Sequence, residues 1–563
     1  MYLQDHLGDE NYHLFSVRVE SKTPEKAKDL TPFQKVSVEV VTTTPGSPVI
    51  LIMMNQRNPE FMDAYRLNVR TGRLEMAAEN TGNFIAYQAD HLNQVRVATS
   101  ISPKGEYEVY SRDSEKDPWK KLKTYTPQDT FSLLAFHPNG KQIYVKSSAD
   151  QDLAGLRLLD LKSGDETPVQ EDPEKESDLV NAFFDAKTHE LIATQFEGDK
   201  IRTYGITPAI KRDLESITKT SADNYYLGTS SDDHEKWVVT FYSPTNPGQV
   251  FLYERKTGSL RLMEESRPWL KPLQLSSAES ISFQSKDGLT IRGYLTLPRG
   301  KDKSGLPMVL FVHGGPWDRD RWQYDGVAQF LANRGYAVLQ INFRGSVGFG
   351  KKFAYAAKKE FAGKMHQDLI DGMEMVVKNG IADPKRIAII GLSYGGYATL
   401  VGLTFTPDRF ACGVDYAGPS SLITLIESFP PSWKPYLGRR WYPIVGNPSV
   451  AEDREDMKKR SPLYFVDRIK APLMIYQGVN DPRVTREQAD QMVIALRNRG
   501  IQTEYLLAKD EGHGLDNPEN ALAVFHATEK FLASCINGES QQSVDSHILD
   551  QIRQMRVDAQ TLK

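Results

Sequence analysis

A chain of 563 residues is too long for one ordinary hydrophobic core, so two or more domains are expected. With 40% hydrophobic and 25% charged residues and a formal net charge of −4, it has no basic excess to hold nucleic acid or an anionic membrane. No apolar run approaches the roughly 20 residues that span a bilayer, and the polar start MYLQDHLGDENYHLF carries no signal pattern. Cys412 and Cys535 are the only cysteines. Without CxxC spacing they argue against a disulfide framework or a Cys-rich zinc site; they fit a reducing compartment and leave an oxidising one open. The expectation is a cytoplasmic protein. Because the chain opens on a strand-like segment, an upstream piece carrying a signal is the exception to keep in view.

Residues 1 to about 275 hold short β-rich runs: VSVEVVTT, SPVILIMM, KQIYVKS, ELIATQF and KWVVTFY. Turn chemistry separates them, as at Pro45-Gly46, Pro138-Asn139-Gly140 and Ser163-Gly164-Asp165. No long amphipathic helix stands out, so this half reads as all-β. Three segments ending in Gly72, Gly164 and Gly258 resemble one another: RLNVRTG, RLLDLKSG and FLYERKTG. Their spacing is close to twice the roughly 40–50 residues of a four-stranded propeller blade. Decayed copies then fall near residues 118 and 211, and Phe15–Lys22 sits about one period upstream. That makes a β-propeller of about six units, with a pair of β-sandwiches as the alternative.

From about residue 280 the period changes. ISFQSKDGLTIRGYLTLP predicts a hairpin with a Lys286-Asp287-Gly288 turn. Apolar strands LPMVLFVH, AVLQINFR, RIAIIGLS, APLMIYQG and TEYLLAKD then alternate with helical stretches such as HQDLIDGMEMVVKNG, TREQADQMVIALRNRG and NPENALAVFHATEKFLAS. Thr485 and Gln488 form a capping-box pattern. Near-continuous apolar strands between helices imply a parallel sheet covered on both faces, an α/β-hydrolase arrangement. The expected division is a β-propeller over 1–277, an α/β-hydrolase domain over 278–536, and a polar, mobile tail over 537–563 with room for one short helix.

RIAIIGLSYGGYATLVGL is the most informative stretch. A strand ends in Gly391-Leu392-Ser393-Tyr394-Gly395 and a helix of small residues follows at once, the G-x-S-x-G nucleophile elbow. A serine hydroxyl needs a base to take its proton, and this fold supplies Ser, then Asp or Glu, then His in chain order. Strand APLMIYQG leads into Val479-Asn480-Asp481-Pro482-Arg483, and TEYLLAKD into Glu511-Gly512-His513-Gly514. The candidate triad is therefore Ser393–Asp481–His513. Oxyanion donors are expected from the N–H groups of Tyr394 and, in the loop His313-Gly314-Gly315-Pro316-Trp317, of Gly315, because Pro316 has none. His313 is read as a brace for that loop, Arg344 as a structural partner of a carboxylate such as Asp368, and Arg483 as close enough to touch substrate.

HGGPW, NFRGSVGFG, GLSYGGYATL, NDPRV and EGHG, in this order after a β-propeller, resemble the prolyl oligopeptidase family of serine peptidases, most nearly its acylaminoacyl-peptidase-like branch. The likeness is specific over 280–535 and architectural over 1–275. It implies Ser393 as nucleophile, Asp481 and His513 as its partners, Gly315 in the oxyanion loop, and Arg483 as a substrate contact. It also implies cleavage of short peptides, or of N-acyl-aminoacyl peptides, through an acyl-enzyme. The propeller would act as a size filter, no metal or cofactor would be needed, and a homo-oligomer remains open. An esterase of the same fold, and a propeller-based binding scaffold with incidental hydrolysis, are the competing functions. Family propellers commonly have seven blades and an N-terminal extension, so the count of about six implies that an upstream segment is absent. The paired glutamates with which dipeptidyl-peptidase relatives grip a substrate amine find no match here.

Overall fold

The computed structural model describes residues 1–18, 26–43, 46–82, 84–231, 233–501 and 503–562. Six antiparallel sheets follow one another between Tyr2 and Glu265, as the blades of a β-propeller. Blades 2, 3, 4 and 6 have four strands in sequential order, and blades 1 and 5 have three. Strand Val49–Asn58 explains the apolar run SPVILIMM. Its side chains alternate faces, so Ile50, Ile52 and Met54 pack with Leu14 and Leu30, while Leu51 and Met53 pack with Phe84, Tyr87 and Val95. A strand clamped between neighbouring blades has no polar face.

The sequence repeat is the turn between the third and fourth strands of blades 2, 4 and 6. In each copy the glycine N–H donates to the carbonyl four residues back: Gly72 to Asn68 (2.7 Å), Gly164 to Asp160 (2.9 Å) and Gly258 to Glu254 (2.8 Å). All three glycines have positive φ (76°, 78° and 67°), which a side chain would strain. The copy at Phe15–Lys22 reaches beyond the described residues at Val19, as does the turn signal at Pro45.

Blade 5 departs from the expectation that this half lacks helices. Its fourth strand is replaced by α1 (Pro208–Thr220). Thr207 Oγ1 accepts the Ile210 N–H (3.3 Å), and Ile210, Leu214 and Ile217, at i, i+4 and i+7, join Trp237, Val239 and Phe241 in one cluster. The helical period was present but was masked by the charged residues between those three.

The chain divides into two compact units. One is Met1–Lys175 with Phe184–Glu190 and Phe429–Pro443; the other is Glu176–Phe183 with Leu191–Ser428 and Ile444–Lys563. In the first, Arg439 is buried and donates to the carbonyls of Gly105 (3.0 Å), Thr126 (3.2 Å) and Asp129, with its guanidinium 3.5 Å from the Tyr107 ring centroid.

The second unit contains an eight-stranded sheet: β1 (Ala278–Gln284), β2 (Thr290–Thr296), β3 (Leu306–Val312), β4 (Ala337–Asn342), β5 (Ala382–Leu392), β6 (Cys412–Tyr416), β7 (Leu473–Gly478) and β8 (Thr503–Ala508). The order is β1-β2-β4-β3-β5-β6-β7-β8, with the β1–β2 and β2–β4 pairs antiparallel and the remaining pairs parallel. Helices α2 (Lys364–Lys378), α3 (Tyr394–Phe405), α4 (Arg486–Arg497) and α5 (Pro518–Ile536) accompany it. Strand β6, reading CGVDY, escaped the sequence reading because it is short and interrupted by a buried aspartate.

Three other expectations need correction. Gln488 does not close a capping box; its Oε1 accepts the N–H groups of Ser420 and Ser421 (both 3.1 Å), and Thr485 makes no side-chain cap. The tail is not loose, because α6 (Ser546–Met555) buries Ile548, Ile552 and Met555 in the hydrolase core. Cys412 and Cys535 are not free thiols but form a disulfide between β6 and α5, with Cα atoms 6.3 Å apart. Local spacing says nothing about a pair that only the packing of helix on sheet brings together.

The Arg344–Asp368 pairing holds and extends further. Arg344 donates to Asp368 Oδ1 (2.7 Å) and Oδ2 (2.8 Å) and to both Asp287 oxygens (2.9 Å each), tying the β1–β2 turn to α2. The guanidinium holds the Asp287 carboxyl well below the usual carboxylate range. Arg344→Ala would strand a fully buried Asp368, so a loss of about 3–5 kcal/mol in unfolding free energy is expected, read by chemical denaturation.

Candidate active site

The end of β5 determines the chemistry. Ser393 has φ 61° and ψ −118°, a strained conformation for a residue with a side chain. Its N–H donates to Tyr416 O at the end of β6 (2.9 Å), and α3 begins at the next residue. A Cβ on Gly391 would lie 2.3 Å from the Gly395 carbonyl carbon, and one on Gly395 would lie 2.1 Å from Val312 O. Glycine at both positions is therefore a steric necessity. The positive end of the α3 dipole lies at Ser393, where an oxyanion would form.

The loop after β3 stands beside the serine: a Cβ on Gly314 would come within 3.4 Å of Ser393 Cβ. Gly315, the expected donor, follows it with φ 116°. His313 holds the loop from behind. Its Nδ1–H donates to Gly314 O (2.7 Å), which leaves Nε2 to accept from the Ser346 hydroxyl (2.9 Å), and its ring stacks on Phe343 (4.4 Å). Burial pushes the His313 imidazole down to about 4, so it is neutral at working pH. Tyr394, the other expected donor, buries its ring between Phe343 and Phe361 (5.1 Å each) at the head of α3.

Asp481 and His513 stand on the loops that follow β7 and β8, at the same edge of the sheet as Ser393. His513 Nδ1 donates to Asp481 Oδ2 at 2.6 Å, and both side chains are largely buried. Asp481 Oδ1 accepts the N–H groups of Arg483 (2.9 Å) and Val484 (3.0 Å). The two loops are stitched together: Asn480 N–H donates to Glu511 O (2.9 Å) and Val479 N–H to Ala508 O (2.9 Å). Arg483 is exposed beside the aspartate. The Ser393 hydroxyl and the His513 ring are not hydrogen-bonded to each other here; without substrate such contacts are commonly long and tighten in the Michaelis complex.

Sequence reasoning missed the supporting residues. Glu511, almost fully buried, accepts the N–H groups of Asp516 (2.9 Å) and Asn517 (3.0 Å) and the Asn520 side-chain amide (3.0 Å), fixing the His513 loop to the start of α5. Its place two residues before His513 was the available signal, but a lone glutamate in a polar loop reads as solvated.

A profile of the prolyl oligopeptidase family matches residues 322–539. Dipeptidyl aminopeptidase BIII of Pseudoxanthomonas mexicana is 38% identical over 554 residues, covering 96% of this chain and 79% of that protein. The chain belongs to the prolyl oligopeptidase family. Dipeptidyl peptidase family member 6 of Caenorhabditis elegans is 32% identical, over 96% of this chain and 78% of that protein. Among solved structures, a Mycobacterium tuberculosis puromycin-hydrolyzing peptidase superposes with a TM-score of 0.75 at 19% identity, covering 96% of this chain and 84% of that one, a likeness of fold. As a member of this family the protein is a serine peptidase of propeller and α/β-hydrolase architecture. No helix among the described residues is long and apolar enough to cross a membrane.

Activity is expected to rise from about pH 5 to 8, because the base accepts the serine proton only when its imidazole is neutral. His313, already neutral through that window, adds no limb. Its replacement in His313→Asn should lower the rate while leaving the shape of the kcat/KM profile unchanged. A profile altered in shape would make His313 the titrating base.

Proposed function

We propose that this peptidase cleaves short peptides through an acyl-enzyme on Ser393. The observation that carries the reading is the 2.6 Å contact between His513 Nδ1 and Asp481 Oδ2, at the same sheet edge as a serine held on a left-handed elbow. His513 Nε2 takes the hydroxyl proton as Ser393 Oγ attacks the scissile carbonyl, and Asp481 stabilises the resulting imidazolium. The N–H groups of Gly315 and Tyr394 receive the oxyanion. The imidazolium then protonates the leaving amine, and water repeats the sequence on the ester. Arg483, exposed next to Asp481, serves as a substrate contact. The scheme calls for no metal or cofactor.

Within that chemistry we favour release of dipeptides from free amino termini. The two relatives that span 96% of the chain bear dipeptidyl names, which supports this choice over the N-acyl-aminoacyl peptides that the motifs alone suggest. The test compares one dipeptidyl chromogenic amide with its N-acetylated form. A kcat/KM at least tenfold higher for the free amine is expected; preference for the acetylated form would return the enzyme to acylaminoacyl chemistry, and hydrolysis of simple esters alone would make it an esterase. Ser393→Ala should lower kcat by roughly six orders of magnitude and abolish fluorophosphonate labelling. Labelling that persists at another serine would refute the assignment.

The compartment is part of the same proposal. The cytoplasmic expectation rested on the lack of a signal pattern and of a membrane-spanning run, with the cysteines fitting a reducing compartment, whereas the Cys412–Cys535 bridge favours an oxidising one. Protein isolated from its host under denaturing, non-reducing conditions should resist thiol alkylation. Two alkylated cysteines would restore the cytoplasmic location.

A further inference from the structure

Strand β7 reads Leu473-Met474-Ile475-Tyr476-Gln477-Gly478, and every residue in it is buried. One polar amide at the end of an apolar strand flanked by parallel neighbours on both sides is out of pattern. Methionine or leucine would fill a similar volume at no desolvation cost. Gln477 has no exposed surface, and its Oε1 is buried without a hydrogen-bond partner. Leaving such an oxygen unpaired is destabilising, so the residue is a poor choice for stability alone.

Its nitrogen is surrounded by acceptors. Nε2 lies 2.9 Å from Val484 O, 3.1 Å from Gly478 O and 3.3 Å from Asp481 Oδ2. Three oxygens around one atom fix the amide orientation, because only the NH₂ end can donate. The carbonyl contacts brace both ends of the 478–484 loop. The third contact reaches the carboxylate itself, on the oxygen that also receives His513 Nδ1–H. With Arg483 and Val484 on Oδ1, Asp481 has two donors on each oxygen, which fills the acceptor capacity of a carboxylate. Neighbouring Tyr476 points to the other face of the sheet, and its hydroxyl donates to Gly514 O (3.1 Å) beside His513. Two consecutive residues of β7 thus reach the acid loop and the histidine loop from opposite sides.

We propose that Gln477 is a positioning residue for the reaction, its amide fixing the plane of the Asp481 carboxylate against His513 and moderating its charge. The inference rests on reading Asp481 as the triad acid. Removing the donor frees the carboxylate to rotate away from Nδ1. It also leaves Oδ2 with one partner fewer, so an imidazolium beside it is held more strongly and the base stays protonated to higher pH. A residue that merely packed the loop would change stability without moving a pH profile.

The experiment uses the full chain and an activated aryl ester, with Gln477→Met, Asp481→Asn and the double variant, each checked by thermal unfolding. Gln477→Met is expected to lower kcat by about tenfold or more, leave KM within twofold, and shift the acid limb to higher pH. In the Asp481→Asn background the same change should cost less than twofold, since its target is gone. Wild-type kcat with an unmoved limb, or an equal penalty in both backgrounds, overturns the proposal. If Gln477→Met does not fold, Gln477→Leu takes its place, likewise without a donor; an unchanged rate and profile there overturns the proposal equally. Should Asp481→Asn alone retain full activity, the triad reading fails and Gln477 loses its role with it. A loss in Asp481→Asn with additive penalties removes Gln477 alone.

Discussion

Where β5 turns into α3, the main chain folds back so tightly that a methyl group at Gly391 would sit 2.3 Å from the carbonyl carbon of Gly395. Ser393, the candidate nucleophile, sits between the two glycines of that turn, and its backbone adopts φ 61° as a result. Strain of this kind costs on the order of 1–3 kcal/mol and persists only when its surroundings over-determine it. Here those surroundings are a strand buried from Ile387 to Gly391, an N–H bond to Tyr416 O, and a helix buried on nearly all sides. The reactivity of Ser393 is therefore a property of the packing around it.

The parallel sheet works as a jig for the other groups. Strands β3, β5, β7 and β8 all end at one edge, and each leads into one candidate group: the Gly314-Gly315 loop, Ser393, Asp481 and His513. Loops are the mobile part of most folds, yet these are tied down by buried polar side chains. His313 with Ser346, Glu511 with the first turn of α5, and Tyr476 with Gly514 each spend a buried hydrogen bond on loop geometry. These polar contacts restrain the loops around the candidate site.

Much of this was legible before any coordinate. Turn and strand chemistry announced the propeller, and glycines at every second blade counted it, because a five-residue turn with positive φ admits little else. The elbow and the pairing of Asp481 with His513 could be anticipated because each follows an apolar strand in a fixed order. What stayed hidden shares a cause, namely that its meaning is non-local. The three apolar residues of α1 look weak until Trp237 stands against them. Cys412 and Cys535 are unremarkable at 123 residues' separation, and Gln488 imitates a cap while serving Ser420 and Ser421 across the fold. Gln477 and Glu511 carry no motif, since their partners are backbone groups together with Asp481 and Asn520, brought to them by loop geometry.

The burial of α6 bears on how the enzyme comes into being. Ile548, Ile552 and Met555 complete a cluster that already holds Val414, Met474 and Leu506 from β6, β7 and β8. Those three side chains are worth about 1.5–3 kcal/mol each on burial, a sum comparable with the whole stability of many domains. The sheet edge that presents acid and base therefore lacks part of its own foundation until residue 555 has left the ribosome. Folding of the hydrolase sheet is thereby tied to the synthesis of α6, which follows every strand of that sheet in the chain.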